Sequence, residues 1–225
     1  IEYLIEDAFQ GPMSSYLSNY AFGGAGVSDD EWPLSTYRKQ VDTYLSAHDD
    51  KASADTLYVN WIGSNNYLGD PDNALNAVSD VIAGTKIQLE RLISHGAKNI
   101  LLVSVPDLSI TPFAREDESL GLLMKQCSDK HNAELLALKE ELAVTYPDVK
   151  MVYIDVNTTF RDFFKHPEAY GFTNVRDKCF KESYEQAPVT PELASFSSQI
   201  LASTDPTKFA CPGYLFVDEL HPSTH

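Results

Sequence analysis

Residues 57–62 read LYVNWI, a short apolar run that is followed directly by Gly63. Two further runs of the same kind lie at residues 99–105 (NILLVSV) and 151–154 (MVYI). Runs this short and this continuously apolar are typical of strands buried on both faces of a parallel sheet. The sequence therefore predicts three central strands at these positions, and a shorter strand that ends near residues 20–22.

Helical periodicity separates these runs. Apolar side chains recur at helical spacing across residues 32–48, 72–95 and 119–146. Asp72 is the expected N-cap of the second helix, and Gly96 is its expected end. Alternation of strands and helices implies right-handed crossovers. We therefore predict an α/β fold, a three-layer α/β/α sandwich around a mostly parallel, flavodoxin-like doubly wound sheet.

The composition of the chain excludes some classes of function. The chain has 225 residues, and 17 Lys and Arg against 33 Asp and Glu give it a net charge of −16. Such a field repels phosphate backbones, so we predict no nucleic-acid partner. No apolar run approaches the roughly 18 residues of a spanning helix, so no transmembrane segment is predicted. With 43% hydrophobic residues, the chain can build a core.

The domain organisation is expected to be simple. We see no internal repeat and predict one domain over residues 1–225. Ile1 is not an initiator Met, no signal sequence follows it, and no helix-ending signal precedes the last residue. The expectation is a piece of a longer chain, truncated at both ends. Residues 160–213 lack clear periodicity, and loops this long in compact domains are often functional.

Two of the three cysteines bracket a polar, proline-containing segment. Cys179 and Cys211 flank residues 180–210, which favours a disulfide that closes a surface loop in an oxidising compartment. The alternative is two buried free thiols in a cytosolic protein.

The third cysteine, Cys127, and His131 lie four residues apart on a predicted helix. We interpret them as packing residues, because no further Cys or His cluster completes a metal site.

Polar motifs follow two of the predicted strands, where ligands of a doubly wound sheet gather, and a third polar motif lies near the end of the chain. Residues 19–26 (NYAFGGAG) form a glycine-rich turn that suits an oxyanion site, or simply a packing turn. Residues 63–66 (GSNN) offer an amide that can donate to an oxyanion, although turn chemistry explains it equally well. Asp218 precedes His221 by three residues, a spacing that lets a carboxylate orient an imidazole base. The alternative is a solvated acidic loop.

The order of these motifs resembles the SGNH or GDSL-type hydrolase family. Residues 19–25 resemble its second block, 63–68 its third and 218–222 its fifth. Residues 105–112 resemble the post-strand segment of its lipase branch, and 131–135 a later helix start. The likeness spans roughly residues 19–222 and is greatest to the secreted bacterial lysophospholipase A and glycerophospholipid:cholesterol acyltransferase group.

The resemblance implies roles for individual residues. His221 would be the general base and Asp218 its orienter. The Asn65 side chain and the Gly24 N–H would build the oxyanion hole, with Gly23 as the second choice for the backbone donor. The reaction implied is ester hydrolysis through an acyl-enzyme, with no cofactor.

Two departures from the family pattern stand out. Asn66 occupies a position that is usually Asp, a change expected to affect loop hydrogen bonds rather than chemistry. The nucleophile block is absent, and family order places its Ser before Ile1. Ser14, Ser15 and Ser64 lack the right context, so the nucleophile remains unassigned.

The resemblance also implies a substrate and a location. We expect a lipid or lysolipid substrate, with acyl transfer to an alcohol such as cholesterol as a further activity, in a secreted or periplasmic bacterial protein. The alternatives are a carbohydrate or short-chain acyl esterase on the same scaffold, and a non-catalytic binding module that lost its nucleophile. The 179–211 loop is expected to be a lid over the acyl cleft and a site for a processing protease.

Overall fold

The computed structural model describes residues 16–27, 35–179 and 211–223 of the chain. Within that part, the main sheet has three parallel strands in the order β1-β2-β3. They are β1 (Leu57–Asn60), β2 (Asn99–Val103) and β3 (Lys150–Ile154). A second parallel sheet pairs β4 (Asn174–Lys178) with β5 (Tyr214–Phe216). Because all these pairs are parallel, the carboxyl ends of the main strands meet at one edge.

Five α-helices are described. They are α1 (Tyr37–Ala47), α2 (Ser64–Leu68), α3 (Ala74–Ser94), α4 (Glu118–Thr145) and α5 (Val156–Lys165), with 3-10 turns at Leu108–Ile110, Ala114–Glu116 and Pro167–Tyr170. Helices α1, α3 and α4 bury their apolar stripes with one face of the sheet, where Ile100 and Leu102 are almost fully enclosed. The predicted α/β fold class, helices packed on a parallel sheet, is confirmed.

Most helix ends follow from local hydrogen bonds. Asp117 caps α4 by accepting from the backbone N–H of Leu120 at 2.8 Å. Helix α3 begins after Asn73, which makes no side-chain cap bond, so the prediction that Asp72 caps it is wrong. Gly96 ends α3 as predicted: its φ is +118°, and a Cβ there would lie 2.5 Å from the Ala52 carbonyl oxygen.

Several predicted boundaries need correction. Residues 17–22 form no strand, because the Asn19 side chain accepts from the Ala21 N–H and a turn follows at residues 23–24. Strand β1 ends at Asn60, two residues earlier than predicted. Helix α1 begins at Tyr37, and residues 32–34 of the predicted helix lie outside the described part of the chain.

The region after residue 160 is more regular than its sequence suggests. It contains the second half of α5, then β4, and later β5. Helix α5 is capped by Asp155, whose side chain accepts from the Thr158 N–H at 3.1 Å. Its Phe163 and Phe164 pack on a small second core around Phe172 and Phe216. A short helix that packs on a small core has few apolar residues at helical spacing, so its sequence shows only a short periodic pattern.

A disulfide joins Cys179 to Cys211, with the two Cα atoms 5.8 Å apart. It links the residue after β4 to the segment leading into β5, and the Cys179 N–H also donates to the Phe216 carbonyl at 3.0 Å. Residues 180–210, on which the lid and processing predictions fall, lie outside the described residues. None of the described helices is both long enough and apolar enough to cross a bilayer.

Removing this cross-link should destabilise the protein. We expect the double variant Cys179→Ala, Cys211→Ala to lose about 3–4 kcal/mol of unfolding free energy, because the open chain regains loop entropy when it unfolds. Urea unfolding with and without dithiothreitol tests this, and the double variant is the matched control. Dithiothreitol should lower the wild-type midpoint and leave that of the double variant unchanged. Equal responses would contradict the prediction.

Candidate active site

A tight turn after β5 brings Asp218 and His221 together. One carboxylate oxygen of Asp218 accepts from the backbone N–H groups of Leu220 at 2.8 Å and His221 at 2.7 Å. The other oxygen lies 2.8 Å from Nδ1 of the His221 ring. The turn closes where the Val217 N–H donates to the His221 carbonyl at 2.9 Å. The three-residue spacing therefore produces a carboxylate–imidazole pair on a rigid backbone.

Each member of the pair shifts the pKa of the other. The hydrogen bond with Asp218 raises the pKa of His221 above its ordinary value of 6.5, against a smaller opposing effect of burial. Burial disfavours ionisation of Asp218, but hydrogen bonds from the His221 ring and two backbone N–H groups outweigh it and lower the pKa of that carboxyl. Asp218 is therefore charged at neutral pH. The His221 side chain is 74% exposed, so its ring can reach a neighbouring group.

The pair should be visible in a pH titration. We expect the His221 imidazole to titrate above 6.5 and its midpoint to fall in Asp218→Ala, because the charged partner that favours the imidazolium is removed. Below its raised pKa, His221 is protonated and cannot accept a proton. NMR of the ring protons measures the midpoint, with His221→Ala to assign the signal. An unchanged midpoint in Asp218→Ala would contradict the pairing.

Two contacts anchor this turn to the rest of the molecule. The Phe113 N–H donates to the Glu219 carbonyl at 3.0 Å, which ties the turn to the segment after β2. The Glu219 carboxylate also receives the Lys178 ammonium at 2.5 Å, which ties it to the end of β4. The Asp218–His221 turn is thus tied to the segment that follows β2 and to the end of β4.

A second polar cluster follows β1. The chain turns at Gly63, whose φ is +120°, into the one-turn helix α2. The Asn65 side-chain amide donates to the Ala25 carbonyl at 2.9 Å, and the Asn66 side-chain oxygen accepts from the Val27 N–H at 3.2 Å. The two asparagines therefore hold residues 25–27 against α2. Asn66 makes a loop hydrogen bond, as expected for the residue that replaces the usual Asp.

The glycine turn thereby comes next to Asn65. Gly24 immediately precedes Ala25 and has a φ of +76°, a conformation that side-chain-bearing residues rarely adopt. An amide nitrogen carries two hydrogens, and the bond to Ala25 uses one of them. The Gly24 backbone and the Asn65 amide therefore lie near each other, and N–H donors are the kind of group that an oxyanion requires.

The two clusters lie on different elements, one after β5 and one after β1. The contact between Glu219 and Phe113 links the first cluster to the segment after β2, and β2 is the neighbour of β1 in the sheet. No nucleophile is assigned among the described residues. Of the serines considered in the sequence, Ser14 and Ser15 fall outside the described residues, and Ser64 lies within α2.

Residues 131–135 differ from their prediction, since they lie in the middle of α4 rather than at a helix start. Asn132 has a role that the sequence reasoning missed: its side chain bonds both the N–H and the carbonyl of Val105, each at 2.9 Å. An amide beside the apolar stripe of the helix is the signal that could have indicated it.

Cys127 and His131 are buried as predicted, and no cluster of metal-binding type occurs among the residues described.

Comparison with known proteins adds the family. A family model described as GDSL-like lipase/acylhydrolase matches residues 3–225, nearly the whole chain. The chain is 26% identical over 206 residues to a phosphatidylcholine-sterol acyltransferase of Aeromonas hydrophila, an alignment that covers 78% of this chain and 58% of that protein.

Two further relatives have similar identities. The secreted effector protein SseJ of Salmonella typhimurium is 28% identical over 191 residues, covering 84% of this chain and 41% of that protein. The thermolabile hemolysin of Vibrio parahaemolyticus is 26% identical over 219 residues, covering 92% and 48%. The chain thus spans about half the length of these curated relatives.

Proposed function

Because the chain belongs to the GDSL-like lipase/acylhydrolase family, we propose that it is the core of a serine ester hydrolase that acts on lysophospholipids or phospholipids. The observation that carries the proposal is the hydrogen bond between Asp218 and Nδ1 of His221, on a turn held by backbone bonds. Such a pair turns an imidazole into a base of fixed tautomer and orientation.

In the proposed mechanism, Nε2 of His221 takes the proton of a serine hydroxyl as that oxygen attacks the ester carbonyl. Asp218 keeps the opposite ring nitrogen protonated and stabilises the imidazolium that forms. His221 then returns the proton to the leaving alcohol, and an acyl-enzyme remains. Water activated by the same imidazole hydrolyses it.

The Asn65 amide and the Gly24 N–H are the proposed donors to the negative oxygen of the tetrahedral intermediate. Donors aimed at the oxyanion before it forms lower the barrier without reorganising during the reaction. The bond from Asn65 to the Ala25 carbonyl supports this role, because it fixes the amide beside the backbone that Gly24 belongs to.

The nucleophile is proposed to be a serine upstream of residue 1 in the full protein. Labelling the full-length protein with a fluorophosphonate probe and mapping the modified peptide tests this. A labelled serine before Ile1 is expected. A label on Ser14, Ser15 or Ser64 would overturn the assignment, and no labelling at all would favour a non-catalytic binding module.

The substrate class has its own test. Full-length protein should release fatty acid from lysophosphatidylcholine much faster than it deacetylates an acetylated sugar. Adding cholesterol tests a second activity, acyl transfer, which the likeness to a phosphatidylcholine-sterol acyltransferase favours. Cholesteryl ester should then appear at the expense of free fatty acid. A preference for the sugar ester would contradict the lipolytic proposal.

We also propose an extracytoplasmic location for the protein. The Cys179–Cys211 disulfide supports it, because structural disulfides persist in oxidising compartments, and one relative carries the name of a secreted effector. The 179–211 loop is the proposed site for a processing protease. A cut between the two cysteines should yield fragments that separate on a gel only after reduction.

A further inference from the structure

The position of Asn65 depends on a helix too short to hold itself in place. Helix α2 has five residues, Ser64–Leu68, and its N-terminus has no side-chain cap. A single helical turn is marginal in water, so tertiary contacts must fix it. Its one buried side chain is Tyr67, which is completely enclosed.

Tyr67 makes its polar contact with a histidine from another element. Its hydroxyl lies 2.6 Å from Nδ1 of His131, on α4, and the two rings meet edge to face with centroids 5.7 Å apart. His131 is 1% exposed, and burial lowers its pKa to about 4, so the ring is neutral at neutral pH. A neutral imidazole and a phenol can share one hydrogen bond without burying a charge.

The same histidine also touches the start of α2. A Cβ built on Gly63 would lie only 2.7 Å from Cε1 of His131, so the ring occupies the space that a side chain would need. His131 therefore contacts both ends of the turn that bears Asn65, through van der Waals contact at Gly63 and through the hydrogen bond at Tyr67.

Helix α4 is itself fixed at this point. Asn132, the next residue, bonds both backbone polar groups of Val105 just beyond β2. In the part of the chain that the structure describes, Nε2 of His131 is buried without a hydrogen-bond partner. Burying an unpaired polar nitrogen costs free energy that an apolar side chain would avoid. The Tyr67 contact therefore gives His131 a role beyond filling space.

We infer that Tyr67 and His131 are positioning residues that hold α2 against α4 and so aim the Asn65 amide at the oxyanion. The inference rests on the proposed function, since it acts through Asn65. It makes the orientation of the oxyanion donor depend on one buried hydrogen bond between two side chains 64 residues apart in sequence.

The test uses the full-length protein with a fluorogenic ester. Tyr67→Phe removes only the hydroxyl and should lower kcat about tenfold with KM unchanged, because small misplacements of a catalytic group are costly. His131→Phe keeps a ring near Gly63 and should give the same loss, and the double variant should be no worse. The matched control is Tyr58→Phe, which removes a largely buried tyrosine hydroxyl bonded to Tyr44 at the other end of β1.

The decisive comparison repeats Tyr67→Phe in the Asn65→Ala background. If Tyr67 acts through Asn65, the second substitution should leave kcat unchanged there. An equal loss in both backgrounds, a loss matched by Tyr58→Phe, or no loss in the wild-type background would overturn the inference. Asn65→Ala with wild-type kcat would instead overturn the oxyanion assignment of the proposed function, so the two failures are distinguishable.

Discussion

Replacing His221 with alanine in the full-length protein should lower kcat by at least about a thousandfold on an ester substrate, because the proposed acceptor of the nucleophile's proton is removed. Asp218→Asn should be similarly impaired, since an amide favours the wrong tautomer of the ring and cannot stabilise the imidazolium. Both variants should keep the wild-type circular dichroism spectrum, because the His221 side chain is largely exposed.

The chain provides a matched control for this experiment. His166 pairs with Asp162 at 3.0 Å on the surface, with a side chain 60% exposed, yet it lies at the end of α5 and outside the candidate site. His166→Ala removes a second exposed imidazole–carboxylate pair and should leave turnover unchanged. Near-normal turnover in His221→Ala, or equal losses at His221 and His166, would refute the assignment of the base.

The second large effect is expected at Asn65. Asn65→Ala should lower kcat by about 10²–10³ with little change in KM, because its amide acts mainly on the charge that develops in the transition state. Asn66→Ala removes the neighbouring amide, whose oxygen holds the Val27 N–H, and should do much less. Steady-state kinetics on one soluble ester separate kcat from KM for both variants. Similar losses at the two positions would leave the choice of Asn65 as donor without support.

The parallel strands were predictable because their signals are local. Residues 57–62, 99–105 and 151–154 are short apolar runs ended by turn-forming residues. The first two contain β1 and β2, and the third covers all of β3 except its first residue, Lys150. The Asp218–His221 pair was predictable for the same reason, since both side chains belong to a single turn. Contacts between residues three apart need no knowledge of the tertiary fold.

Other features depend on contacts that no local pattern reveals. Tyr67, in the motif after β1, and His131, on the apolar stripe of a predicted helix, are unrelated in sequence until α2 and α4 are packed together. Helix α5 was missed because its aromatic residues serve a second, smaller core. Tertiary partners decided each of these outcomes.

The cross-link between Cys179 and Cys211 determines whether the segment that carries His221 can separate from the rest of the protein after the chain is cut. The polypeptide reaches β5 and the Asp218–His221 turn only through residues 180–210, so a cut there would leave β5 and His221 on a separate peptide segment. The disulfide would keep that segment on the same covalent molecule, with β5 still beside β4. Reassembly of His221, the proposed base, with the rest of the candidate site would then be intramolecular, with an effective concentration that dilution cannot lower.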